Sequence, residues 1–568
     1  MAQPGPLREV RAVKAVNDVE GFVELTKQLV AIPSVNGTPG EVDVAEFVVT
    51  WLKKLPYFRR FPHRVWTQEI PGDPLGRKNV FAWVKGQTPA TVLLHGHLDT
   101  VGIEDYGPLQ ELAFQSDALK KEIERFSGAD DRVKEQAASG NWLFGRGALD
   151  MKGGVAVHMK LVEFWSNRPE EPPGSILFMA NPVEENQHSG IMAALSELLR
   201  LREQENLQLM CAVNADYVTA GYEGDSARYL YTGATGKLLL NVLIRGRETH
   251  VGEAFGGLDP VFVMAECLRE LNYNPELCDR VGLETGQPPV ALYARDLKPA
   301  YNVQTAGGAW LYFNWFVLNS TPEAVLAQVK RKVEAARDRA LALRNGYMDQ
   351  YTEFAEVKGQ MPRYEREDMP VLTFSEWLEG LEDGVRARVD DVLRNTRYSV
   401  EVDQREATRD LVERCLAAAG QTSPLILLYY SSPFCPRNRL QEERPDHRRV
   451  LKAVEAAAGA VAARYGEVLK IRPFFPYLSD SSYLNMVDEP RAVHMFTANF
   501  PGWGTTYSVP LDEIRKLSIP AINLGVYGFD AHKWTERLYI PYSFGVLPKL
   551  IQRVVEMLWE NRQWEEEN

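Results

Sequence analysis

Cysteine is scarce. The chain has five in 568 residues: Cys211, Cys267, Cys278, Cys415 and Cys435, with no CxxC pair. An odd, scattered set argues against a disulfide framework and against zinc-finger spacing, and it suits a reducing compartment. No apolar run approaches the length of about 20 residues that a membrane helix needs. The N-terminal stretch MAQPGPLREVRAVKAVNDVE lacks the apolar core of a secretory signal. A cytoplasmic protein is the expectation. Positive charge is also short: 64 Lys and Arg against 77 Asp and Glu give a net charge of −13. That balance disfavours nucleic acid and anionic membranes as partners. Internal repeats and low-complexity tracts are missing too.

What is present is an ordinary globular composition, 45% hydrophobic and 25% charged, in a chain long enough for two or more domains. Residues 18–31 carry Val19, Phe22, Val23, Leu25, Leu29 and Val30 on one helical face, and Pro33 stops that helix. Residues 41–55 read as a second helix. Strands are predicted at 64–68, 79–84, 92–94 and 175–180, and a helix follows Asp150. Strands and helices alternate to about 224, which predicts an α/β fold with a mixed, largely parallel sheet covered by helices.

Around 230 the texture changes to strand, helix, strand, strand, helix: LLLNVLIRGR, 261–271, 291–294, 310–317 and 322–343. That order predicts a small α+β domain inserted into the first. Residues 346–421 exceed a minimal domain of this kind. They are rich in charge, with helical runs at 374–393 and 406–418, and read as an extra helical insertion. Strand returns at 423–430, and a helix at 448–465 leads back to the first domain, with a strand at 521–526 and a last helix at 544–559. The expected division is 1–226 and 446–568 for the main domain and 227–445 for the inserted one.

The chemistry concentrates where apolar runs end. TVLLHGHLDTV (91–101) passes from Val92-Leu93-Leu94 to His95, His97 and Asp99. Residues two apart in extended chain face the same way, and ligands in open α/β sheets sit beyond the carboxyl ends of strands. GRGALDMKGG (145–154) sets Asp150 in a glycine-rich turn. NPVEENQHSG (181–190) places Glu184 and Glu185 after another apolar run. CAVNADYVTAG (211–221) places Asp216, and GFDAHKWTE (528–536) places His532. A lone HxD or Glu-Glu pair is common on surfaces; five strand ends of this kind are not.

Together with THVG at 249–252, these motifs resemble the zinc-dependent peptidases and deacylases that include aminoacylase, acetylornithine deacetylase, succinyl-diaminopimelate desuccinylase and glutamate carboxypeptidase. The length and RPFFPYLSDSSYL (472–484) are most similar to the RocB-type arginine-utilisation proteins. The resemblance implies a di-metal hydrolase with two divalent ions, zinc first, manganese or cobalt as alternatives. Asp150 would bridge them, His97 and Asp216 would complete one site, and Glu185 and His532 the other. A cis peptide after Asp150 is implied as well. Asp99 would accept a hydrogen bond from the far nitrogen of His97, and Glu184 would be the general base. His250, from the inserted lid and dimerisation domain, would donate to the oxyanion, often across a homodimer. Asn302, in YNVQTAG, would contact substrate.

By the same resemblance Asp480, in LSDSSY, matches a position near the metal site and is expected to support structure rather than catalysis, while His95 is either a neighbour of the site or a buried polar residue. His158 reads as a core or surface histidine. His63, His188, His447 and His494 have no supporting context. Three departures stand out, one being Val183 where the family usually has an acid before the Glu-Glu pair. The lid arginine that recognises a substrate carboxylate in many relatives is absent from Asn314-Trp315-Phe316, and the variable metal ligand is Asp216 in place of glutamate. The predicted function is hydrolysis of an amide or peptide bond in a small amino-acid derivative or dipeptide, in arginine or related catabolism. The alternative is a metal- or ligand-binding regulatory protein that keeps the fold without turnover.

Overall fold

The computed structural model describes residues 16–354, 368–399 and 402–566. The first helix, Val19–Val30, starts where Asp18 accepts the Gly21 N–H, and it buries Phe22, Leu25, Leu29 and Val30. The second, Gly40–Lys53, buries Val44, Val48 and Leu52 at the same spacing.

An eight-stranded sheet organises the larger unit. Its order across the sheet is Val65–Glu69, Lys78–Val84, Ser175–Asn181, Ala90–His97, Gln208–Asn214, Ala521–Asn523, Arg228–Tyr231 and Leu469–Arg472. The first strands are antiparallel. The four central strands, from Ser175–Asn181 to Ala521–Asn523, all run parallel, so the predicted mixed, helix-covered sheet is what forms. Strand Arg228–Tyr231 lies just past the expected boundary at 226/227, yet it pairs with this sheet. Alternation sorts the side chains by face. Val92 and Leu94 enter one core with the helices at Val19–Val30, Gly153–Ser166 and Leu547–Glu566. Leu93 and Leu177 enter a second core shared with helix Ser189–Gln204.

That second core continues into a five-stranded sheet ordered Val290–Asp296, Gly308–Val317, Gly236–Arg245, Leu425–Cys435 and Val371–Thr373. On one face Leu240, Val242 and Ile244 meet helices Pro260–Leu271 and Pro322–Glu353. On the other face Leu243, Trp310, Leu427 and Tyr429 meet Trp377, Val389, Leu411 and Cys415. The segment read as a helical insertion is therefore the cover of this sheet. It also supplies a strand, Val371–Thr373, parallel to Leu425–Cys435. The single run predicted over 374–393 divides into helices Phe374–Glu379 and Asp383–Asn395, with Gly380 capping the first. Residues 355–367 and 400–401 of that segment lie outside the described residues. Among the described residues no helix is long and apolar enough to cross a membrane.

Candidate metal centre

Three of the central parallel strands end side by side, with His97 opposite Asn181 and His95 opposite Asn214. The residues that follow them, Asp99, Glu184, Glu185 and Asp216, are thereby delivered to one edge of the sheet. Asp150 arrives from the turn Ala148–Lys152, opened by Gly147 in the left-handed region (φ 77). The Asp150–Met151 peptide is cis. Gly96 leaves room for the Met151 side chain: a Cβ there would stand 2.5 Å from Met151 Cε and push it aside. The turn is held by Glu536, whose Oε1 accepts the N–H groups of Leu149 (3.0 Å) and Asp150 (3.1 Å), while its Oε2 accepts from Arg146 Nη1 at 2.7 Å.

The structure brings together His97, Asp150, Glu185 and His532. Asp150 Oδ1 lies 3.1 Å from His97 Nε2, and Oδ2 lies 3.0 Å from His532 Nε2. His532 Nε2 is also 3.0 Å from Glu185 Oε1. Asp216 is buried at the same edge, and its carboxylate accepts the Tyr217 N–H at 2.7 Å. The Glu184 carboxylate sits between two imidazoles. Its Oε2 is 3.9 Å from His97 Nε2 and its Oε1 is 4.0 Å from His188 Nδ1.

Asp99 corrects the sequence expectation. His97 Nδ1 is 3.0 Å from the Asp99 backbone carbonyl and 3.7 Å from its carboxylate. The carboxylate instead accepts the backbone N–H groups of Glu184 (3.1 Å) and Glu185 (3.0 Å) and Asn36 Nδ2 (3.0 Å). Two backbone donors at hydrogen-bond distance outcompete a ring nitrogen that the carbonyl already satisfies. Asp99 therefore fixes the His97 ring through its main chain and the Glu184-Glu185 turn through its side chain.

Burial works to raise Asp150, but the imidazoles of His532 and His97 outweigh it and hold the carboxyl well below its usual range. Burial opposes a charge on His97, yet Asp150 and Glu184 push it well above the usual imidazole value. His532 is likewise pushed up, against burial, to about 11 by Asp150 and Glu185. Burial raises Glu184, and burial with the Asp150 charge raises Asp216 and Glu185. Four carboxylates thus crowd two imidazoles at this edge of the sheet, with His97, Asp150, Glu184 and Asp216 buried. The donor set of His97, Asp150 and Glu185, with ligand atoms within 4.8 Å of one another, fits divalent cations. Such ions would offset the surplus negative charge and take neutral imidazole and carboxylate ligands.

His250 and Asn302 are not brought to this cluster. Both lie exposed on loops of the five-stranded domain. His250 Nδ1 accepts the Gly252 N–H at 3.0 Å, and Asn302 exchanges hydrogen bonds with Gln304, whose backbone is bridged to His250. His95 is fully buried, 3.2 Å from Ser481 Oγ, and burial pulls it down to about 4; it is a neutral core residue beside the site. Two residues that sequence reasoning passed over belong to the site. His188 bonds to Asp480 Oδ1 through Nδ1 at 2.9 Å and approaches Glu184. Glu536 holds the Asp150 turn, and its signal was its place four residues after His532 in GFDAHKWTE.

The sequence matches the family described as Peptidase family M20/M25/M40 over residues 93–510. It is 38% identical to Protein RocB of Bacillus subtilis (strain 168) over 97% of both chains. It is 33% identical to the protein YqjN of the same organism, over 94% of this chain and 96% of the other. Among solved structures, a tripeptidase from Staphylococcus aureus superposes with a TM-score of 0.50 at 13% identity, covering 96% of this chain and 99% of that one.

Proposed function

The chain belongs to the M20/M25/M40 peptidase family of hydrolases, and from that premise we propose that it cleaves an amide or peptide bond in a small amino-acid derivative or dipeptide at a two-metal centre. The observation that carries this reading is Asp150, which turns one carboxylate oxygen to His97 and the other to His532. That is the disposition of a bridging ligand. His97 and Asp216 would hold one ion with it, and Glu185 and His532 the other. Zinc suits the imidazole and carboxylate set best, with manganese and cobalt as alternatives. Bound there, the ions would polarise the scissile carbonyl and lower the pKa of the attacking water.

This chain's own residues do the rest. Glu184 takes the water proton and hands it to the leaving nitrogen. Its buried setting raises its pKa, which suits a group that must both accept and return a proton. Asp99 fixes the His97 ring and the Glu184 turn. We assign His250 to the oxyanion and Asn302 to the substrate. Their exposure on loops of the five-stranded domain fits a homodimer in which each such domain reaches the other chain's cleft. A role in arginine or related amino-acid catabolism, in the cytoplasm, is part of the same proposal. A binding protein without turnover would have no use for Glu184, which favours the enzyme.

The test is hydrolysis by zinc-loaded protein of a panel of dipeptides and N-acyl amino acids, arginine and ornithine derivatives first. Turnover is expected, with Glu184→Gln lowering kcat by about 10²–10⁴ while the metal is retained. A wild-type protein that binds metal but turns over no panel compound would move the reading to a binding protein.

A further inference from the structure

Within the described residues the Glu184 carboxylate accepts no hydrogen bond, although it is buried. A base in that state needs something to aim it. On the metal side stands His97. On the far side stands His188, which no motif assigns. His188 is fully enclosed, and it caps helix Ser189–Gln204 from the left-handed region (φ 56) without using its ring to cap. The ring is committed elsewhere. Nδ1 meets Asp480 Oδ1 at 2.9 Å and faces Glu184 Oε1 at 4.0 Å, and Nε2 lies 3.7 Å from Cys435 Sγ. Asp480 is itself held by Asn181 Nδ2, and Cys435 accepts from the Tyr483 hydroxyl at 3.4 Å. Cys435 belongs to strand Leu425–Cys435 of the five-stranded sheet.

We propose that His188, oriented by Asp480 and anchored on Cys435, is the positioning residue for Glu184, so that the seating of the five-stranded domain on the larger unit sets the aim of the general base. The proposal rests on the reading of Glu184 as that base. His188 gives its Nδ1–H to Asp480, which sets the ring against Glu184 Oε1, and Cys435, Asp480 and Glu184 push its pKa up against burial. The backbone supports the same role. Val183 (φ 71) and His188 (φ 56) are both left-handed, and they bracket the Glu184-Glu185 turn. Non-glycine residues persist in such a conformation where surrounding contacts hold them.

The experiment uses zinc-loaded full-length protein on the dipeptide and N-acyl panel. His188→Asn keeps a donor near the Nδ1 position and tolerates the left-handed backbone; His188→Gln sends its amide toward Cys435 and loses the Nδ1 donor. We expect kcat to fall about 10–100-fold in His188→Gln and much less in His188→Asn, with KM and metal content unchanged in both. Asp480→Asn should lower kcat, and the His188→Gln/Asp480→Asn double variant should lose no more than the worse single one, because both act through one group. Unchanged kcat in His188→Gln, or a change confined to KM, overturns the proposal while leaving the base intact. Retained turnover in Glu184→Gln overturns the underlying reading. If the His188 variants do not fold, Asp480→Asn alone decides, an unchanged kcat counting against the proposal.

Discussion

Asp150 gives its two carboxylate oxygens to different imidazoles, Oδ1 to His97 at 3.1 Å and Oδ2 to His532 at 3.0 Å. The imidazoles come from opposite ends of the chain, one from a strand terminus and one from a loop near the C-terminus. A side chain shared in this way cannot be replaced by either neighbour. Asp150→Ala should therefore lose both ions together: about two per chain in the wild type, falling to near zero in the variant, read by elemental mass spectrometry after dialysis. Loss of only one ion would mean that the two sites are independent and that Asp150 is a terminal ligand.

Glu41 predicts a pH dependence. It is fully buried under the Glu184 loop, where it accepts the N–H groups of Gly37 (2.7 Å) and Val183 (3.2 Å) and pairs with Arg77 at 2.8 Å. Burial, and then the charge of Asp99, raise its pKa from 4.5 to about 7 despite Arg77. The folded state thus keeps a proton that the unfolded chain releases earlier. Its contribution is fully present below about pH 4.5 and is lost as pH rises to about 7, by up to about 3 kcal/mol. Denaturant unfolding at about pH 5 and about pH 8 should show this slope in wild type and its loss in Glu41→Gln. Parallel curves for the two proteins would mean that Glu41 folds ionised.

Much of this arrangement was legible in the sequence, for a local reason. Alternation along 92–94 assigns Val92 and Leu94 to one core and Leu93 to the other, and the switch from apolar to coordinating residues marks where a buried strand reaches the edge of the sheet. Those local signals mark the candidate residues; which of them would be ligands, His97, Asp150, Asp216, Glu185 and His532, is what the family resemblance implies. What escaped depends on contacts between distant segments. His188 meets Asp480 across 292 residues and Cys435 across 247, and nothing local to any of the three announces the pairing. The region 346–421 read as solvated helices because its charged positions are visible in sequence. Its role as cover for Trp310, Leu427 and Tyr429 is visible only once the sheet exists. Asp99 was placed correctly beside His97, but the choice between its carbonyl and its carboxylate belongs to the turn at Glu184, which has its own claim on that side chain.

The Arg146–Glu536 pair gives the last prediction. Both side chains are almost wholly buried, 1% and 0% exposed, and a single Glu536 oxygen receives two successive backbone N–H groups at the turn that presents Asp150. Glu536→Gln keeps the size and can keep those two bonds, but its amide N–H₂ then faces Arg146 Nη1, donor against donor, and leaves a buried guanidinium with only Asp105 as a carboxylate partner. Breaking a buried pair on one side costs about 3–5 kcal/mol. Loss of the group that orients a metal ligand weakens metal affinity by about 10–100-fold. Thermal unfolding of the metal-free protein isolates the first effect, and competition with a chelator isolates the second. A variant that loses stability while holding its metal as tightly as wild type would make Glu536 a strut of the turn and nothing more. Loss of both would tie the Asp150 presentation to a charge pair that spans 390 residues of chain.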